Sequence, residues 1–260
     1  MPQLTMDIHE GVATIRFSNP PLQVMTPTTM NELNALLPAL EAPDVRAIVF
    51  TGTDAHFFIR HFSVEELDNR TRGGGETWDV NMDDLLLAIE HLPKPVISAL
   101  NGSASGGGLE FALATDIRVA KDGPFRYGLP EVSVGILPGG GGTQRLTEIV
   151  GRGRALELML RPRLLTPAEA HALGIIEELV PLDTTETALD RAQAMAAEMA
   201  SRSPLAVAHI KRLVRSAVSP VTKDMLTLES RLFGELMQTP EAKTLLARVA
   251  AQHKLESGEN

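Results

Sequence analysis

Two glutamates occupy the stretches of this chain best suited to acid–base chemistry. Glu110 closes the run Lys94-Pro95-Val96-Ile97-Ser98-Ala99-Leu100-Asn101-Gly102-Ser103-Ala104-Ser105-Gly106-Gly107-Gly108-Leu109-Glu110, in which an apolar strand enters a glycine cluster and the glycines enter the apolar helix Leu109–Ala114. At a helix start the free N–H groups and the positive dipole end stabilise a developing negative charge, and glycine lets a ligand come close to the backbone. The same cluster also fits a tight strand-to-helix turn, and a glutamate in a first helical turn is favourable as a dipole partner alone. Glu131 follows Pro130 in the run from Tyr127 to Leu146, which continues through Pro138 and Gly139 to Gly142 into Thr143-Gln144-Arg145. Taken alone it fits a solvated turn residue.

Other chemistries find little support. The chain has no cysteine, which removes disulfides, thiolate metal sites and cysteine nucleophiles. Its seven histidines show no His-Glu-x-x-His or other metal spacing. Gly102-Ser103-Ala104-Ser105-Gly106 places Ala where a nucleophile elbow needs Ser. The four glycines at 139–142 lack the Lys-Ser/Thr of a phosphate loop and fit a turn feeding a helix at Thr143. A net charge of -9 argues against a nucleic-acid partner. No apolar run reaches the roughly twenty residues that span a bilayer, and the acidic amino end lacks the order of a secretory signal. A soluble, cytoplasmic protein without a membrane partner is expected.

The elements that must position the glutamates follow from periodicity. Leu4–Phe17 reads as a hairpin turning at Glu10-Gly11, and an apolar pattern from Thr28 through Met30, Leu33, Leu37 and Leu40 predicts a helix ended by Pro43. Val45–Thr51, Pro95–Leu100 and Ile117–Ala120 are short continuous apolar runs of the kind buried on both faces of a parallel sheet. Between the first two lies an insert, Glu65–Leu92, with a glycine run at 73–75 and a helical pattern through Met82, Leu85, Leu86 and Ile89. Strands alternating with helices predict an α/β domain. Beyond Ala188 the pattern is helical, broken near Pro204, Pro220 and Pro240, with an apolar face at Leu226, Leu232, Leu236 and Leu246.

Read together, Asn101-Gly102, Gly106-Gly107-Gly108-Leu109-Glu110, Pro130-Glu131 and Pro138-Gly139-Gly140-Gly141-Gly142-Thr143-Gln144-Arg145-Leu146 resemble, in order and spacing, the signature of the enoyl-CoA hydratase/isomerase (crotonase-like) superfamily. The likeness extends over nearly the whole chain. It implies a spiral of ββα units with a helical carboxyl-terminal region, here divided as residues 1–195 and 196–260, the latter for trimerisation or for covering the active site. It implies an acyl-CoA thioester substrate, no tightly bound cofactor beyond the coenzyme A of that substrate, and a homotrimer or a hexamer of paired trimers. By position, the backbone N–H groups of Phe62 and Gly107 match the oxyanion hole, while Glu110 and Glu131 match the carboxylates that activate water and protonate the α carbon. Hydration of a 2-enoyl-CoA is the favoured activity. Double-bond isomerisation through Glu131 alone, a divergent hydrolytic or carbon–carbon-cleaving reaction, and a catalytically silent CoA-binding oligomer are the alternatives.

One segment departs from the family pattern: Phe58-Ile59-Arg60-His61-Phe62-Ser63-Val64-Glu65 stands where small residues and a lysine are usual. Arg60 is a candidate contact for a CoA phosphate, and His61 for a proton carrier or acyl contact, each against an ordinary solvated or lining role. Gly106 is a further candidate at the substrate. Trp78, the only tryptophan, is a candidate wall for the acyl pocket or plain core packing.

Overall fold

The computed structural model describes residues 2–216 and 239–240. In chain order the elements are β1 (Leu4–His9), β2 (Val12–Phe17), α1 (Pro27–Glu41), β3 (Ala47–Gly52), β4 (Phe57–Ile59), α2 (Val64–Thr71), α3 (Met82–His91), β5 (Val96–Leu100), β6 (Ser103–Ser105), α4 (Gly107–Leu113), β7 (Ile117–Lys121) and β8 (Tyr127–Gly128). A 3-10 turn at Glu131–Val134 follows, then α5 (Gly142–Val150), α6 (Arg152–Leu160), α7 (Pro167–Ala172), β9 (Glu178–Val180), α8 (Ala188–Ala200) and α9 (Pro204–Ser216). The chain divides into two compact units, Met1–Ala200 and Ser201–Asn260. In the second, Pro204 opens α9. The apolar face read at Leu226, Leu232, Leu236 and Leu246 and the break at Pro220 lie outside the described residues.

In the first unit the strands β1-β2-β3-β5-β7-β9 form a six-stranded sheet, and β4-β6-β8 form a three-stranded one. Only the β1–β2 hairpin is antiparallel; β2, β3, β5, β7 and β9 pair in parallel. Successive strands alternate between the sheets: β3 then β4, β5 then β6, β7 then β8, each pair leading into helices. That alternation is the ββα spiral. It also corrects one local reading, because a strand, β6, stands between β5 and the glycines, and α4 begins at Gly107 rather than at Leu109.

Burial explains why these runs became central strands. Every residue of β5 is buried, as are five of the six in β3. One face of this sheet is covered by α8, whose Ala188, Ala192 and Ala196 recur every fourth residue and are fully buried with Val49, Ile97 and Val119. Small side chains at that spacing let helix and sheet approach closely. On the opposite side Phe17, Phe50 and Phe58 surround Phe111 of α4, with centroid separations of 5.0, 5.0 and 6.1 Å. A fully buried phenylalanine contributes roughly 1.5–3 kcal/mol, so Phe111 anchors the helix that carries its neighbour Glu110. The other end of α4 is held by the buried Arg118, which donates to the Thr115 carbonyl at 2.9 Å and to the Ile175 carbonyl at 2.8 Å and is ion-paired with Glu177. Cationic donors suit the carbonyl end of a helix. α1 starts on a capping box at Thr26, with Pro27 in its first turn.

Candidate active site

The short sheet delivers its strands to a cavity of about 380 Å³. Among its lining residues are His61, Phe62, Trp78, Met82, Gly106, Gly107, Glu110 and Glu131; Val134, Ile136 and Leu137 add apolar surface. The structure therefore brings together all the sequence-derived candidates except Arg60. The Arg60 guanidinium instead stands over the Phe57 ring, 5.3 Å from its centroid. Its backbone carbonyl accepts from the N–H and hydroxyl of Ser105, tying the segment before Phe62 to β6.

Phe62 and Gly107, both at the cavity wall, each carry an N–H outside the regular pairing of their elements. Gly107 is the first residue of α4, so its N–H has no carbonyl to bond within the helix. Phe62 forms a parallel bridge with Met25 that uses the His61 carbonyl and the Ser63 N–H, leaving the Phe62 N–H out of the pairing. The two lie side by side: a Cβ at Gly107 would sit 3.3 Å from the Phe62 nitrogen and 3.0 Å from the Phe62 Cβ. Gly106 makes the turn into α4 with φ +50°, a left-handed conformation that favours glycine, and a Cβ there would face Glu131 Oε1 at 3.1 Å. Glycine at these adjacent positions keeps the approach open from both sides.

Glu110 and Glu131 are 2% and 9% exposed, so the turn residue after Pro130 is not a solvated one. Glu110 Oε1 accepts from the N–H groups of Gly140 at 2.7 Å and Gly142 at 2.9 Å. Burial pushes its carboxyl above the usual carboxylate range, against the pull of those two N–H groups. Glu131 Oε2 is buried without a hydrogen-bond partner. Burial, with the Glu110 charge adding to it, raises the Glu131 carboxyl to about 7, its own N–H pulling the other way.

The remaining candidates shape the wall. His61 Nδ1 lies 2.7 Å from the Phe62 carbonyl oxygen, which can only accept, so the proton sits on Nδ1 and Nε2 carries the lone pair in the neutral ring. Trp78 packs on the Phe62 ring at 5.2 Å, with the Arg70 guanidinium on it at 4.3 Å. Sequence reasoning missed Met82, read only as a helix-face residue; its Cε would stand 3.3 Å from a Cβ at Gly107 and 2.8 Å from one at Gly140. It missed the amides of Gly140 and Gly142 as well, because a donor on the main chain leaves no trace in residue type. Among the described residues no group of three or more His, Asp or Glu side chains converges to hold a metal ion, and no helix is long and apolar enough to cross a membrane.

Two buried carboxyls thus share one cavity with Phe62 and Gly107, a combination of groups suited to acid–base chemistry. The chain belongs to the enoyl-CoA hydratase/isomerase family, whose model matches residues 7–255, and it is an enzyme of that family. It is 33% identical to a probable enoyl-CoA hydratase of Bacillus subtilis over 94% of this chain and 93% of the relative. To the short-chain-enoyl-CoA hydratase of Clostridium acetobutylicum it is 31% identical, over 96% and 95%. Among solved structures, an enoyl-CoA hydratase from Polaromonas sp. JS666 superposes with a TM-score of 0.87 at 26% identity, covering 96% of this chain and 97% of that one.

Proposed function

We propose that this enzyme adds water reversibly across the double bond of a 2-enoyl-CoA thioester. The observation that carries the proposal is the convergence of Glu110, Glu131 and the Phe62 and Gly107 amides on one largely apolar cavity. The thioester oxygen sits between the two N–H groups and is stabilised as it gains enolate charge; loss of one such donor costs about a hundredfold or more in rate. Glu110, its Oε1 held by two N–H groups, takes a proton from a water whose oxygen bonds to the β carbon. The π electrons move onto the thioester, and the Glu131 carboxyl gives its proton to the α carbon. The two carboxyls then re-equilibrate their protons.

A carboxyl raised to about 7 is protonated in useful amount at neutral pH, which suits Glu131 to the donor role. Its unpartnered Oε2 also favours a second reading, isomerisation by Glu131 alone as shuttle. Following loss of the enoyl absorbance of crotonyl-CoA, and double-bond migration in a 3-enoyl-CoA, in wild type and Glu110→Gln separates the two. Hydration requires that the variant lose the first reaction; if Glu110→Gln hydrates at the wild-type rate, the two-carboxyl mechanism is wrong. A melting temperature unmoved by acetoacetyl-CoA, together with no turnover of any thioester, favours a silent scaffold.

We propose further that the enzyme works in the cytoplasm as a homotrimer or hexamer, with residues 196–260 contributing to assembly and to the cover of the site. Leu156 and Leu160 on α6, 50% and 65% exposed, support burial against another copy. Light scattering tests the assembly.

A further inference from the structure

Glycines at 139–142 give the loop that holds Glu110 no side chains with which to fix itself, yet its peptides are held by hydrogen bonds on both sides, with N–H groups on Glu110 and a carbonyl on Arg145. The N–H of Gly140 points to Glu110 Oε1, the carbonyl of Gly140 points away, and the N–H of Gly142 points to Glu110 Oε1 again. These groups belong to three consecutive peptide units. The middle one is held by Arg145 Nη1, which donates to the Gly140 carbonyl oxygen at 2.7 Å. Turning that peptide over would aim a carbonyl dipole at a carboxylate and carry both neighbouring N–H groups out of line.

Arg145 is itself braced from another element. Its Nε and Nη2 donate to Glu90 Oε2 of α3, at 3.0 and 2.6 Å, and the two side chains are 14% and 21% exposed. A guanidinium offers donors in a rigid planar fork, so fixing two of them on Glu90 fixes the direction of the third. The Arg145 charge also favours the ionised form of Glu110.

We infer that Arg145, braced by Glu90, is a positioning residue: by gripping the Gly140 carbonyl it keeps the Gly140 and Gly142 N–H groups on Glu110 and so sets the place of that carboxylate for attack by water. This rests on the hydratase reading for its effect on turnover, while its effect on Glu110 is independent of which reaction the enzyme runs.

The full chain is compared with Arg145→Met, Glu90→Gln and the double variant Arg145→Met/Glu90→Leu, the last leaving no stranded charge. Two readouts are taken: kcat and KM for crotonyl-CoA, and the titration of the Glu110 carboxyl by NMR of protein labelled with 13C-glutamate, assigned through Glu110→Gln. In the Arg145→Met single and double variants kcat falls about tenfold to a hundredfold, the cost of a misplaced catalytic group, with KM changed about twofold or less. The Glu110 midpoint moves up, as loss of a cation and of aligned N–H donors demands. Glu90→Gln, which keeps an acceptor for Arg145, stays near wild type on both readouts. A plain structural tie between α3 and α5 predicts instead that kcat per folded molecule is unmoved, whatever loss of the Arg145 charge does to the Glu110 midpoint, and that result overturns the inference. If the wild type hydrates no enoyl-CoA, the hydratase reading fails; protection of the Gly140 and Gly142 N–H groups from solvent exchange, lost in Arg145→Met/Glu90→Leu if the grip positions them and kept if it does not, then decides the positioning.

Discussion

The two carboxyl corners of this cavity solve the same problem, burial of an acid, in opposite ways. At the α4 corner Glu110 is held by two loop N–H groups and lies near a braced arginine; at the 3-10 corner Glu131 keeps one oxygen buried with no partner. Burial raises both carboxyls. The difference lies in what opposes it: bonds that favour the anion fix Glu110 in place and return part of its acidity, whereas Glu131, with less to oppose burial, retains a proton near neutrality. On the proposed hydration mechanism, a single apolar cavity thus sets one carboxyl to be positioned and the other to donate a proton, from the same side chain type.

The contrast breaks most visibly at Glu131. Glu131→Gln keeps the shape and removes the transferable proton, so turnover of a 2-enoyl-CoA should fall by about 10²–10⁴-fold with the fold intact. A loss of less than about tenfold would place the proton donor elsewhere. The stabilities sharpen the same difference. Glu110→Ala strands the buried N–H groups of Gly140 and Gly142 and should cost about 2–6 kcal/mol, at about 1–3 kcal/mol for each unsatisfied group. Glu131→Ala removes a group whose Oε2 had no partner and should cost far less at pH 8. Urea midpoints for the two variants, measured side by side, give the comparison directly.

The pH dependence of stability is next in size. The Glu131 carboxyl is raised from an ordinary 4.5 to about 7, so folding favours its protonated form. Its contribution is therefore fully present below pH 4.5 and is lost as pH rises through about 7. At about 1.4 kcal/mol per unit of difference, up to about 3 kcal/mol is at stake. Relative to Glu131→Gln, the wild type should lose stability between pH 4.5 and 8.5 and then level off. A constant difference across that window would mean that Glu131 is ionised throughout and is not the donor.

How much of this was legible in the sequence follows from what each feature needs in order to leave a trace. The central strands at 47–52 and 96–100 are buried on both faces and so appear as largely apolar runs, while the one at 117–121 keeps the pattern only around Arg118, a buried cation ion-paired with Glu177. The strands of the short sheet do not: β4 and β6 have three residues each and β8 has two, below the length at which any alternation can be counted. Yet those are the strands that precede Phe62, Gly107 and Glu131 at the cavity. The carboxyls were legible through the coincidence of several motifs, since neither Glu110 nor Glu131 was distinctive alone. The donors opposite them were legible only by resemblance, because an amide is present at every residue but proline. Met82 was hidden by its regular place on an amphipathic helix, where a methionine that packs and one that lines a cavity look alike.

Met82 also supplies the smallest predicted effect, one that bears on the space between the two corners. Its tip reaches toward the Gly107 and Gly140 backbones, and it carries no group that can exchange a proton with either carboxyl. Truncation should therefore leave the acid–base contrast unchanged and alter only the room beside it. Met82→Ala is expected to keep kcat for crotonyl-CoA within a few-fold and to raise kcat/KM for longer 2-enoyl chains relative to crotonyl-CoA by about tenfold, the lower end of what one methylene is worth in an apolar pocket. A flexible thioether that yields to substrate already would give no change in that ratio. A large fall in kcat for crotonyl-CoA would instead show that Met82 helps to hold the Gly140 backbone, and that the Glu110 corner depends on packing from α3 as well as on its hydrogen bonds.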